Sequence, residues 1–197
     1  ADKKIGFVPT MGALHLGHFS LIERALLENE FVLVSIFVNP LQFDNVEDLN
    51  SYPGEIDKDF RALQDLGVHA VYAPNYEEVF PKDFDTSIYE TSPSSQLFEG
   101  FARPGHFDGM LAVVKRLFDL AKPKRAYFGE KDAQQLFLVQ KLVRDLKYPI
   151  EIVSCPIVRD SEGLALSSRN QRLSRDGKAS ALALFKSLSE VKNKWED

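Results

Sequence analysis

Ile5-Gly-Phe-Val-Pro9-Thr-Met-Gly-Ala-Leu-His15-Leu-Gly17-His18 is the stretch on which the fold turns. Ile5 to Pro9 is a short apolar strand. From Phe19 to Glu30, apolar residues fall at 19, 21, 22, 25, 26 and 27, the spacing of an amphipathic helix. Between them sits a loop with two glycines and two histidines. In an open α/β sheet, ligands bind at the carboxyl ends of strands, where such a loop lies. A helix N-terminus there offers free N–H groups and a positive dipole end, which suits phosphate. Gly12 and Gly17 let the backbone approach a ligand closely. His15 and His18, three apart, share a face of the opening helical turn and can hold phosphate oxygens or donate a proton. A zinc site is a poorer reading, because the usual helical pair is four apart with a Glu, and Cys155 is distant in sequence.

Working outward, strands and helices alternate. Phe31 to Val38 is nearly all apolar and rich in β-branched residues, as in a strand buried on both faces, and Asn39-Pro40 ends it. Glu55 to Leu66 reads as a helix with Phe60, Leu63 and Leu66 inward, closed by Gly67. Val68 to Ala73 is the next strand. A short strand is expected at 87–91 and a helical turn near Gln96–Glu99. A helix follows from Phe107 or Asp108 to Ala121, then a strand from Arg125 to Gly129. Asp132 to Leu146 is helical, and Glu151 to Val158 is the last strand. Arg159 to Asn170 is a polar loop, and Arg175 to Trp195 is a charged, amphipathic tail helix. This order predicts a parallel sheet with helices on both faces.

The 197 residues suffice for one domain plus a short extension. With 44% hydrophobic and 27% charged residues, the chain is neither disordered nor collagen-like. Its net charge of −5 argues against general nucleic-acid binding. The single cysteine, Cys155, fits a reducing cytoplasm. No apolar run reaches the ~18 residues of a membrane helix, and the opening Ala-Asp-Lys-Lys lacks a signal peptide's apolar stretch. The start lacks Met and reaches a strand within four residues, which fits a fragment or a processed chain.

Further candidates lie at strand ends. Lys131 follows the strand ending at Gly129 and can neutralise charge building on phosphates. Ser167, Ser168 and Arg169 supply two hydroxyls and a guanidinium after the last strand, a set that suits a phosphate chain and is equally common in plain turns. Gln42 and Gln135 are neutral amides that each offer a donor and an acceptor, although by sequence alone both read as surface residues.

His15-Leu-Gly-His18 resembles the signature of the HIGH-motif nucleotidylyltransferase superfamily, shared by class I aminoacyl-tRNA synthetases and adenylyltransferases. The longer string Gly6 to His18 is similar to pantothenate synthetases (pantoate–β-alanine ligases). Four more strings agree in order: Phe37-Val-Asn-Pro-Leu-Gln-Phe43, Arg103-Pro-Gly-His-Phe107, Phe128-Gly-Glu-Lys-Asp-Ala-Gln-Gln135 and Gly163-Leu-Ala-Leu-Ser-Ser-Arg-Asn170. The resemblance spans nearly the whole chain. It implies a Rossmann-like α/β domain that joins pantoate to β-alanine with ATP through a pantoyl adenylate, releasing pyrophosphate and then AMP.

By that resemblance His15, His18 and Lys131 are catalytic. ATP would be held by Met11, Gly12, Ala13, Leu14, His15, Leu16, Gly17 and His18. Gly129, Glu130, Lys131, Asp132, Val158, Leu166, Ser167, Ser168 and Arg169 would complete its site. Gln42 and Gln135 would bind pantoate, and Gln42 also β-alanine, with Asn39, Arg103 and His106 as further candidates for that pocket. Asp59 would help hold the Mg²⁺ that accompanies ATP; an exposed helix acid beside Lys58 is the alternative.

The sequence also departs from the family. Gly54 stands where members commonly carry Arg. The family usually carries a strand–helix segment before the Gly6 string and a C-terminal lid domain, which residues 176–197 would lead to; against that pattern both are expected to be absent or cut short here. The expected organisation is therefore a ligand-binding domain over 1–175 with a tail helix beyond it. The expected partners are small molecules, without nucleic acid or membrane, and the family suggests a homodimer. Two rivals stand beside this reading. One is another HIGH-motif adenylyltransferase, which should lack the two glutamines in these settings. The other is a nucleotide-binding fragment whose turnover is impaired without its lid.

Overall fold

In the computed structural model, residues 4–84 and 93–196 are described. Five strands, β1 (Ile5–Thr10), β2 (Phe31–Ile36), β3 (Ala70–Tyr72), β4 (Arg125–Gly129) and β5 (Glu151–Cys155), form one sheet in the order β3-β2-β1-β4-β5. Every pairing is parallel. The chain therefore builds outward from β1 to one edge, then returns to β4 and builds to the other. The reversal opens a crevice at the carboxyl ends of β1 and β4, the usual ligand position in such sheets.

Helices cover both faces. α1 (Leu16–Glu28) and α3 (Ile56–Asp65) pack on one face. Ile22, Ala25 and Leu63 meet Val8, Val32, Val34, Tyr127 and Val153 there. α6 (His106–Ala121) and α7 (Ala133–Asp145) cover the other, where Met110, Leu111, Val114, Leu117 and Phe118 and Leu138, Val139 and Leu142 share a core with Phe7, Ala126 and Phe128. Phe7 and Val8 point to opposite faces, as the two-residue period of a strand requires. Short α2 (Val46–Asn50), α4 (Tyr76–Val79) and α5 (Glu99–Ala102) lie in the connections, and α8 (Arg175–Glu196) is the tail.

The predicted parallel sheet is present, and the differences are local. β5 ends at Cys155 rather than Val158, because Pro156 has no N–H for the ladder. α1 begins at Leu16, capped by His15, rather than at Phe19. The helix expected from Asp132 opens with a 3₁₀ turn, Glu130–Asp132. On α3, Phe60 is 38% exposed while Asp59 is 4% exposed, so an acid takes the inward place predicted for the aromatic. The strand expected at 87–91 lies outside the described residues. α8 is held at its near end: Leu182 is buried, the Phe185 ring sits under the Arg159 guanidinium at 4.1 Å, and Lys178 pairs with Asp160 at 3.0 Å. Among the described residues, no helix is long and apolar enough to cross a membrane.

Candidate active site

The loop between β1 and α1 is fixed by hydrogen bonds to two buried side chains, Asp59 and Ser168. Gly12 has φ +79°, and a Cβ there would stand 2.9 Å from Asp59 Oδ2, so glycine is needed on both counts. Ala13 also lies in the left-handed region, at φ 51°, where an L-residue is strained. Asp59 holds it there. Its Oδ2 accepts from Ala13 N–H at 2.8 Å and its Oδ1 from Leu14 N–H at 2.9 Å. From the other side, Ser168 Oγ donates to the Ala13 carbonyl at 3.2 Å.

The two histidines complete the helix start. His15 Nδ1 accepts from Gly17 N–H at 3.1 Å, and His18 Nδ1 accepts from His15 N–H at 3.3 Å, a reciprocal cap on α1. The rings lie 4.1 Å apart. With both Nδ1 atoms accepting, these hydrogen bonds assign the proton of each neutral imidazole to Nε2. Burial holds His18 well below the ordinary histidine range, to about 3, and the nearby His15 and Lys131 push it the same way. His15 is lowered too, by burial and then by Lys131. The pair therefore meets a ligand at neutral pH as two uncharged N–H donors, with positive charge supplied by Lys131 and the end of α1.

Lys131 sits on the turn after β4, its ammonium 3.0 Å from Asp132. Across the crevice, a 3₁₀ turn, Pro40–Gln42, carries Gln42, whose Nε2 lies 3.0 Å from Met11 Sδ. This turn is pressed onto α6. Asn39 Nδ2 donates to the Gly109 carbonyl at 2.9 Å, and His106 Nδ1 donates to the Gln42 carbonyl at 2.7 Å. A Cβ at Gly109 would lie 2.1 Å from the Leu41 carbonyl oxygen, so only glycine admits this contact.

One cleft gathers most of the predicted residues. Met11, His15, Gly17, His18, Gly129, Lys131, Asp132, Val158, Leu166, Ser167, Ser168 and Arg169 line it, as do Gln42 and Gln135. Its apolar part comes from α6 and β4, through Met110, Val113, Val114 and Phe128. The cleft gathers neutral donors, a cation, a helix N-terminus, two amides and an apolar lining. That combination can hold a phosphate chain beside a small branched acid.

The Pantoate-beta-alanine ligase family model matches residues 1–197. The pantothenate synthetase of Thermus thermophilus is 52% identical over 184 residues, 93% of this chain and 67% of that one. The chain belongs to the pantoate–beta-alanine ligase family. The crystal structure of the T. thermophilus pantothenate synthetase superposes with a TM-score of 0.93 at 50% identity, covering 98% of this chain and 71% of that one. The ligase from Francisella tularensis, complexed with beta-gamma ATP and beta-alanine, gives a TM-score of 0.88 at 43% identity, covering 93% of this chain and 70% of that one. The chain thus spans about two thirds of its relatives' length.

Within this ligase cleft, not every predicted residue faces the ligand space. Gly12, Ala13, Leu14, Leu16 and Glu130 neighbour the lining residues in sequence but do not themselves line the cleft. Arg103 and His106 line the cleft, whereas Asn39 is fully buried and pins the Gln42 turn. Asp59 does not fit a metal ligand. It is buried outside the lining, and both its oxygens are taken by backbone N–H groups. Among the described residues, no three His, Cys, Asp or Glu side chains gather as a metal site. Three residues that sequence reasoning missed also shape the cleft: Gly109, Tyr52 and Asp48. Tyr52, in the Tyr-Pro pair before α3, lines it and pairs with Ser168. No local pattern marks any of the three.

Proposed function

We propose that this chain carries out the ligation of pantoate to β-alanine by way of a pantoyl adenylate. The pantoate carboxylate attacks the α-phosphate of ATP and expels pyrophosphate. The β-alanine amine then attacks the acyl carbon and expels AMP. The observation that carries this reading is the gathering of two neutral Nε2–H donors, Lys131 and the Gln42 and Gln135 amides on the lining of one cleft.

In this reading His15, His18 and Lys131 receive charge that grows on the transferring phosphate, where fixed donors count most. The α1 N-terminus and the Ser167–Arg169 turn hold the remaining phosphates. Gln42 and Gln135 bind the hydroxyls and carboxylate of pantoate, whose two methyl groups would rest on Met110, Val113 and Val114. Gln42 also meets the β-alanine amine. Magnesium would enter with ATP, held by phosphate oxygens and water, which is its usual habit. Residues 1–175 would form the ligand-binding domain. A cytoplasmic location fits the buried free thiol of Cys155, and a homodimer is the assembly expected of the family.

The test is pantoate-dependent ATP–pyrophosphate exchange, followed by assay of AMP and pantothenate with β-alanine present. Exchange that needs pantoate supports the first half-reaction, and pantothenate formed one-for-one with AMP supports the second. Exchange without pantoate would favour another adenylyltransferase. Gln135→Ala should raise the pantoate concentration required while leaving ATP affinity unchanged in a calorimetric titration.

A further inference from the structure

Arg169 stands on the rim of the cleft, and its guanidinium is held from behind. Asp48, on α2, accepts from Arg169 Nη2 at 2.8 Å through Oδ2, and from Arg172 Nη1 at 2.7 Å through Oδ1. Arg172 Nη2 in turn donates to the Ser51 carbonyl at 2.6 Å, tying the same two segments together again. These segments are 121 residues apart in sequence. Arg169 and Tyr52 line the cleft, and the guanidinium lies 5.6 Å from the Tyr52 ring centroid. Asp48 and Arg172 do not line it. The carboxylate therefore grips the side of the arginine away from the ligand space.

A guanidinium is a rigid fork of five N–H groups, so holding one nitrogen against Asp48, with the Tyr52 ring beneath the cation, restricts where the others point. An arginine held this way has less side-chain freedom left to lose on binding than a free one. Hydrogen bonds from Arg169 and Arg172 keep the Asp48 carboxyl below the usual carboxylate range, so it stays charged at neutral pH.

We propose that Asp48 is a positioning residue that presents Arg169 to the phosphates of ATP. The inference rests on the reading of Arg169 as an ATP contact, and the experiment tests that reading first. Binding of ATP with magnesium, and separately of pantoate, is titrated by calorimetry on the chain and its variants. Arg169→Ala should weaken ATP and leave pantoate unchanged; if ATP is unaffected, the reading of Arg169 fails, and the proposal with it. Given that loss, Asp48→Asn should weaken ATP about fivefold, the share of a charge-assisted hydrogen bond that positioning would forfeit. Pantoate affinity should stay the same. In the Arg169→Ala background, Asp48→Asn should cost nothing further, because a positioning role acts only through that arginine. Asp48→Ser is made in parallel, so that loss of fold in one variant leaves the other to decide. The proposal is overturned if the Asp48 variants bind ATP as tightly as the parent. It is equally overturned if they bind more tightly, which would make Asp48 a competitor for Arg169, or if their loss is undiminished without Arg169.

Discussion

The two ends of the sheet are both polar and are built to opposite ends. At the amino edge, charged groups answer one another. Glu28 accepts from Arg24 at 2.9 Å and from the Tyr127 hydroxyl at 2.9 Å, while Arg125 reaches Glu151 at 2.8 Å and the Glu28 carbonyl at 2.9 Å. Asn29 donates to the same hydroxyl at 2.6 Å. Burial pushes the Tyr127 phenol up to about 12, so it remains a donor at any working pH. At the carboxyl edge, hydrogen bonds are spent on backbone, fixing Ala13, Leu14 and Gly17, and they stop short of the atoms that matter to a ligand. The Nε2 donors of His15 and His18 are left for the cleft, and the Lys131 ammonium, held on one side by Asp132, lines it as well. A polar cluster that closes on itself stabilises the fold, and one that closes only on its own loop keeps donors ready for a ligand.

Substitutions can break this contrast or sharpen it. The largest effect is expected at Lys131. Lys131→Ala should cut pantoate-dependent pyrophosphate exchange about a hundredfold, on the order of 3 kcal/mol, with little change in melting temperature. A rate within threefold of the parent would remove Lys131 from the chemistry. Asp59→Ala should cost both kinds of property, because two loop N–H groups lose their acceptor and Ala13 loses the hold on its strained φ. A stability loss of about 2 kcal/mol in urea denaturation is expected, together with weaker ATP binding. If ATP binding persists at full strength, the loop does not depend on this carboxylate.

Acid should act on the carboxyl edge through His18. Its folded pKa, about 3, lies below the ordinary value of 6.5, so the unfolded chain takes up a proton that the folded one refuses. Stability is therefore full above pH 6.5 and falls as pH drops toward 3, by up to about 1.4 kcal/mol per pH unit from this group. Denaturation at a series of pH values should show that slope, and His18→Asn should flatten it. The smallest effect is expected at the amino edge. Tyr127→Phe keeps the ring, which borders the cleft, and removes only the hydroxyl bonded to Glu28 and Asn29, so it should lower stability by about 1 kcal/mol and leave ATP and pantoate titrations unchanged. A change in either titration would mean that the two ends are coupled.

Much of this was legible in the sequence, and the parts that were not share a cause. Alternating strands and helices gave the parallel sheet, because buried strands and amphipathic helices each carry a local period. His15, His18, Lys131 and the Ser167–Arg169 turn were visible because each follows a strand end. Asp59 was not. Helical spacing placed Phe60 inward, since nothing local says that an acid can be buried when two N–H groups from a loop some 45 residues earlier await it. Asp48 is hidden in the same way, for its partners lie 121 and 124 residues downstream. Gly109 reads as an ordinary helix glycine until the Leu41 carbonyl is seen against it. The positioning residues of this cleft are defined by contacts distant in sequence, and periodicity carries no trace of those.

The packing at Gly109 also bears on how this cleft could change over time. The turn carrying Gln42 rests directly on the backbone of α6, with no side chain as a spacer, and a methyl group at Gly109 would meet a carbonyl that cannot swing aside. The distance between the amide wall and the helix is therefore set by main-chain contact. Exchanging Met110, Val113 or Val114 would reshape the floor beneath a ligand while leaving that wall where it stands. Substrate preference in such a cleft can drift through its floor, one methylene at a time, but its width is inherited with the glycine.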